Sequence, residues 1–149
     1  MNDSEIQAVL RAAEVHCQQK KAKLTPSRRL ILSLVLQHKE DVIKAYDILD
    51  DLRKIKKTAA PPTVYRALDF LVSVGILHRA DALNGYIFCQ HFHQNHVSII
   101  VNCTSCGRIE EILAENIREQ LVNFCTKNGF ALETAAPVVF SGICRHCQS

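Results

Sequence analysis

The chain has 149 residues, 48% of them hydrophobic and 22% charged, with seven cysteines and a formal charge of +3. That length suits one ordinary domain or two small ones that share support, and the composition excludes a disordered chain. No apolar run reaches membrane-spanning length, and the amphipathic N-terminus lacks the basic and apolar regions of an export signal, so a cytoplasmic protein with no membrane partner is expected.

In chain order, residues 3–19 space Ile6, Val9, Leu10, Ala13 and Cys17 along one stripe of an amphipathic helix. In KLTPSRRLILSLVLQHK (residues 23–39), Thr25 is a good N-cap, and Pro26 fits the first helical position, where its missing N–H costs nothing. KAYDILDDLRKI (44–55) predicts a third helix with Tyr46, Leu49, Leu52 and Ile55 on its inner face. AAPPTVYRALDFLVSVG (59–75) repeats the start signal with its prolines and Thr63. It buries Val64, Leu68, Leu71 and Val72 and stops at Gly75.

The period then changes. ILHRADALNGYIFCQ (76–90) reads as two short strands around Asn84-Gly85, the strongest short hairpin signal. Helices followed by a two-stranded ribbon give the winged-helix order, a helix-turn-helix with a hairpin appended. Residues 91–95, HFHQN, read as a hinge. Beyond them come a strand in VSIIVNC (97–103), a second in GRIEEI (107–112), a helix in AENIREQLVNFCTKNG (114–129) closed by Gly129, and a last strand near APVVFSGIC (136–144).

The expected fold is therefore α+β: a winged-helix domain over residues 1–90, a hinge over 91–95, and a small α/β domain over 96–149. The last is near the size at which a lone core is marginal, so a metal staple or dimerisation would help it fold. Charge follows the same division. Residues 1–90 carry 14 lysines and arginines against 10 acids, whereas residues 91–149 carry 4 against 5. The two regions are thus expected to meet different partners.

Cysteine spacing is the sharpest signal. Cys103-Thr104-Ser105-Cys106 and Cys144-Arg145-His146-Cys147 make CxxC…CxxC, the Cys₄ pattern of closed structural zinc sites. Two intervening residues let both sulfurs of a pair turn inward onto one ion. Gly107 and Gly142 flank the pairs and would permit tight knuckles. A redox CxxC would instead prefer a nucleophile at a helix N-terminus. Cys17 and Cys125 sit on apolar helical stripes, where cysteine acts as a small hydrophobe.

The remaining ligand types are His78, Cys89, His91, His93 and His96, with Glu110 and Glu111. His78 and Cys89 fall on the two arms of the predicted hairpin and His96 lies past the hinge, so one ion could join the two domains. Mixed imidazole, thiolate and carboxylate ligation favours zinc. Plainer readings exist for each: His78 touching a phosphate, Cys89 filling a core, the hinge histidines merely solvated. Period-two reasoning does not choose between Glu110 and Glu111.

The fourth helix presents Thr63, Tyr65, Arg66 and Asp69 away from its apolar stripe. Arg66, near the start of a recognition helix, is placed to meet guanine O6 and N7. Lys20, Lys21, Lys23, Arg28 and Arg29 are candidate phosphate contacts, and Arg79 lies on the wing.

KLTPSRRLIL, AYDILDDLR, PPTVYRALDFLVSVGILHR, YIFC, CTSCGRIEE and SGICRHC, in that order along nearly the whole chain, resemble the ferric-uptake-regulator family of bacterial metal-dependent repressors. More narrowly, they look like its zinc-uptake-regulator branch. The resemblance implies a winged helix, a hinge and a C-terminal α/β dimerisation domain. It makes Cys103, Cys106, Cys144 and Cys147 the ligands of a structural zinc, and His78, Cys89, His96 and Glu111 those of a regulatory zinc, two ions per monomer. Tyr65 and Arg66 match DNA contacts of the recognition helix, and Tyr46 and Arg28 match backbone contacts.

One departure is informative. Iron-type members carry an HHDH run close before the first CxxC, whereas here His96 stands seven positions upstream of Cys103. That argues against iron sensing and leaves His91 and His93 without roles. The expectation is a homodimeric repressor of zinc-uptake genes, bound to palindromic duplex DNA when zinc-loaded, with no catalysis and no small-molecule substrate besides zinc. The alternative is a thiol-, peroxide- or other-metal-sensing repressor of the same family.

Overall fold

The computed structural model describes residues 1–94, 98–132 and 137–149, with the side chain of Ser98 left aside. The chain forms two compact units, Met1–His93 and Gln94–Ser149.

In the first unit, α1 (Asp3–Gln19) opens with a capping box: Asn2 accepts from the Glu5 amide while the Glu5 side chain accepts from the Asn2 amide. Next comes α2 (Pro26–Leu36), capped by Thr25 as expected. In α3 (Ala45–Ile55), Ile48, Leu49 and Leu52 are buried, but Tyr46 is 71% exposed and Ile55 58%. The expected inner face was wrong at both ends. Residues three apart on an α-helix precess by about 60° per step, so a stripe spaced 46-49-52-55 turns half-way round the helix. Ile48 belongs to the buried face instead.

The fourth helix, α4 (Pro61–Ser73), is capped by Ala60 without a side-chain bond, so Thr63 lies inside the helix rather than at its start. Its core face is Val64, Ala67, Leu68 and Leu71; Val72 is half-buried and packs against the edge of the core. Gly75 ends the helix at φ +80°.

The strands β1 (Leu77–Ala80) and β2 (Gly85–Phe88) pair antiparallel, Leu77 opposite Phe88 and Ala80 opposite Gly85. The connection is not the two-residue Asn-Gly turn expected. A 3-10 turn over Asp81–Leu83 precedes Asn84, which takes the left-handed conformation, and Gly85 opens the strand. Gly85 has a separate reason to be glycine. A Cβ there would lie 2.5 Å from Val42 Cγ1 and 2.7 Å from the Ile43 carbonyl oxygen. Ile43 bridges Tyr86 through a pair of backbone hydrogen bonds of 2.7 and 2.9 Å, a third strand fragment that the sequence reading missed.

Around these elements one apolar cluster runs from Ile6 to Phe92. Within it His16, 8% exposed, donates from Nε2 to the Val74 carbonyl at 2.6 Å and packs edge-on against Phe92. That bond ties α1 to the end of α4. Phe92 lies in the stretch read as a hinge, yet it is buried in this core.

The second unit holds β3 (Ser98–Cys103), β4 (Ile109–Leu113), α5 (Glu115–Lys127) and β5 (Val138–Gly142). Its sheet runs β4-β3-β5, with β3 antiparallel to β4 and parallel to β5. Gly129, at φ +87°, follows the end of α5 as expected. Cys17 is fully buried in the first unit, but Cys125 on α5 is half-buried, so the expected burial holds for one of the two. Among the described residues of this unit, Ile99, Ile100, Cys103 and Arg118 are buried, while Ile117, Phe124, Phe130 and Phe140 are exposed.

Candidate metal centres and nucleic-acid surface

The parallel pairing of β3 with β5 decides where the four CxxC sulfurs meet. Cys103 stands opposite Gly142, so both knuckles leave the same end of the sheet. The first turns back through Gly107 (φ +78°), whose amide donates to the Cys103 carbonyl at 2.9 Å. The Thr104 amide reaches the Gly142 carbonyl at 2.9 Å and locks the knuckles together. The second knuckle is a 3-10 turn over Arg145–Cys147. Gly142 has no positive φ and open space where a side chain would go, so the need for glycine expected there is absent.

The sulfurs of Cys103, Cys106, Cys144 and Cys147 all lie within 4.8 Å of one another, with Cys106 and Cys144 3.8 Å apart. Four sulfurs about 2.3 Å from a central zinc would sit about 3.8 Å apart, so the donor set fits a tetrahedral ion. Electrostatics agree. Backbone N–H groups of Cys144, then Cys106, draw the Cys103 thiol down to about 6, the Cys144 amide lying 3.3 Å from its sulfur. The Ser105 side chain lowers Cys147, but the Cys144 and Cys106 sulfurs outweigh it and push Cys147 up to about 11. Thiolates crowded this closely would repel one another, and a divalent cation would relieve that repulsion.

In the first unit, His78 on β1 stands opposite Ile87, and Cys89 follows β2 with its amide bonded to the Ile76 carbonyl at 3.0 Å. The His78 imidazole nitrogen and the Cys89 sulfur lie within 4.8 Å of each other, and Cys89 is fully buried. An imidazole beside a shielded thiol is a zinc-type donor pair. In the second unit, Glu111 on β4 stands opposite Ile100 and is half-buried, whereas its neighbour Glu110 is exposed. His96 lies outside the described residues. His91 is half-buried and His93 exposed, its ring edge-on to Phe92.

The exposed side of α4 carries Thr63, Tyr65, Arg66 and Asp69, and Tyr46 projects from the first turn of α3 beside it. A small cleft of about 40 Å³ lined by Leu49, Pro61 and Val64 separates the two tyrosines. Lys20, Lys21 and Lys23 are exposed. Arg28 is engaged within the protein: its guanidinium sits 3.7 Å over the Phe70 ring and donates to the Lys23 carbonyl at 2.8 Å. Arg29 pairs with Glu14 at 3.4 Å. The phosphate contacts expected of both arginines therefore compete with intramolecular ones. Sequence reasoning passed over Lys44 and Asp81, which frame the wing; neither stands in a motif. Among the described residues no helix is long and apolar enough to cross a membrane.

Comparison with known proteins gives a consistent answer. The chain is 38% identical over 148 residues to the zinc uptake regulation protein of Escherichia coli (strain K12), covering 99% of this chain and 85% of that protein. Its structure resembles a zinc uptake regulator complexed with zinc and DNA, at a TM-score of 0.84 and 38% identity over 95% of this chain and 94% of the other. It resembles holo XcZur at 0.75 and 30% identity, over 94% and 96%. The ferric uptake regulator family model matches residues 19–139, from the end of α1 into β5. With the winged helix, the sheet and the thiol cluster in place within that match and just beyond it, the chain belongs to the ferric uptake regulator family.

Proposed function

We propose that this chain is a zinc-responsive transcriptional repressor, acting in the cytoplasm, that binds palindromic operator DNA as a homodimer when zinc is bound and represses zinc-uptake genes. The observation that carries the reading is the likeness, along nearly its full length, to a zinc uptake regulator complexed with zinc and DNA. The protein acts by binding, without catalysis, and its partners are duplex DNA and a second copy of itself.

In this reading Cys103, Cys106, Cys144 and Cys147 hold one structural zinc per monomer. His78, Cys89, His96 and Glu111 hold a second, regulatory one. Bound zinc supplies a divalent charge and a cross-link among its ligands. His78 and Cys89 offer donors from the wing, and His96 and Glu111 offer theirs from beyond the hinge at 91–95. Shared ligation by these four residues favours one arrangement of wing and dimerisation unit, the one that spaces two recognition helices for a palindrome. A preference of about 3 kcal/mol moves the occupancy of that arrangement by about two orders of magnitude. Arg66 reads a guanine edge, Thr63 and Tyr65 lie beside it, Tyr46 faces the backbone, and Arg28 joins it by giving up its contacts with Phe70 and the Lys23 carbonyl. The exposed Ile117, Phe124, Phe130 and Phe140 support a dimer interface on the second unit.

The test is operator binding titrated against free zinc, with zinc counted per monomer. Two zincs per monomer, with DNA binding following the weaker, is the expected result. His78→Ala and Cys89→Ala should each remove the zinc dependence and leave the first zinc in place. Zinc-dependent binding that survives both changes overturns the regulatory site. Loss of DNA binding to mild peroxide at fixed zinc would favour the thiol-sensing alternative.

A further inference from the structure

A cavity of about 370 Å³ opens between the wing and the recognition helix, within the first unit. It is within the size range of ordinary ligand sites. Its walls include Lys44 and Tyr46 from the start of α3, Tyr65 from α4, and Arg79, Asp81 and Tyr86 from the wing. Most of these polar groups are already committed. The Lys44 ammonium donates to the carbonyls of Leu83 and Asn84, the latter at 2.9 Å, and so fixes the wing loop. Burial, then the Asp69 carboxylate of α4, pushes the Tyr86 hydroxyl above its ordinary range. Tyr46 and Tyr65 are exposed.

Arg79 is the movable cation. Its Nε lies 3.3 Å from the Asp81 carboxylate, with side chains 61% and 90% exposed. A surface pair of this kind is weak enough to exchange for a better partner. A helix in the major groove and a wing beside it straddle one strand of the duplex, so the cleft between them faces a sugar–phosphate unit. A phosphodiester entering there meets Arg79, but only after displacing Asp81, whose charge has the same sign.

We propose that Asp81 is an electrostatic brake: it holds the Arg79 guanidinium that would otherwise bind a backbone phosphate in this cleft, and so lowers affinity for DNA of any sequence. The inference rests on the DNA-binding reading above and adds a regulated phosphate seat to it. Weaker sequence-independent binding leaves a larger share of the affinity to base contacts, so Asp81 raises specificity by subtraction.

The experiment uses the full-length, zinc-loaded protein with two probes, a duplex it selects from a random pool and an unselected random-sequence duplex. Asp81→Asn should tighten binding to both by about threefold to tenfold and steepen the dependence of log K on log salt by up to about one unit, the contribution of one phosphate. Arg79→Ala should weaken both and flatten the dependence. Adding Asp81→Asn to Arg79→Ala should bring no gain. Unchanged affinity in Asp81→Asn overturns the inference. So does an equal gain in the absence of Arg79, which would mark a diffuse effect of net charge. A wild-type protein that selects no duplex overturns the DNA-binding reading itself, and this inference with it.

Discussion

In the first unit a continuous apolar cluster joins all four helices to the wing and leaves Leu68, Leu71 and Ile76 essentially unexposed. In the second, the described residues bury two isoleucines, a cysteine and an arginine, and turn Phe124, Phe130 and Phe140 to solvent at 68, 69 and 47% exposure. Area removed from water is what stabilises a domain of this size. The first unit has enough of it without help. The second carries a thiol cluster at one end of its sheet and an exposed apolar face, where the proposed zinc and second copy would supply what its core lacks. Sensitivity to metal and to dilution should therefore be a property of the second unit.

The largest expected effect comes from removing the proposed zinc staple. Cys144→Ser with Cys147→Ser should cost on the order of 10 kcal/mol of metal-linked folding energy in the second unit. Calorimetry should show its transition lost and zinc per monomer reduced, while the helical signal of the first unit persists. A second unit that melts unchanged would erase the contrast. Leu68→Ala should have the opposite signature, lowering the transition of the first unit by about 2–5 kcal/mol with zinc content and sedimentation mass intact.

Phe124→Glu sharpens the question of what covers the exposed face. A dimer built on it should weaken by about 2–4 kcal/mol, read as a concentration-dependent shift to monomer in sedimentation. The smallest effect concerns pH and the first unit alone. A hydrogen bond from His38 at 2.7 Å, then the nearby Lys54, holds the Asp51 carboxyl below its ordinary range. A depressed carboxylate stabilises above the unfolded-state value near pH 4 and loses that contribution as pH falls through the folded value. Asp51→Asn should thus cost at most about 1 kcal/mol at neutral pH and nothing in strong acid, by denaturant titration.

Much of this architecture could be read in the sequence, for reasons tied to range. Caps at Thr25, helix stops at Gly75 and Gly129, and the CxxC pairs are signals carried within a few residues, and the structure has each. The face of α3 was misread because a three-residue apolar spacing drifts round the helix. The Ile43 bridge to Tyr86 and the close approach of Val42 to Gly85 depend on segments 43 residues apart, which periodicity does not encode. The nearness of His78 to Cys89 was legible, because the predicted hairpin sets them on opposite arms, but only the family resemblance separated them from the other candidate ligands as members of one site.

The two sulfur pairs that meet at the sheet end are separated by 38 residues, Cys106 to Cys144, with α5 between them. During synthesis the whole helical unit has left the ribosome, and can close its core, before Cys144 is even polymerised. Until then Cys103, at the end of β3, and Cys106, in the turn beyond it, are half a site. If zinc is the ion held there, the four-sulfur site can be completed only after the helical unit has been made, and metal loading would be a late step in maturation.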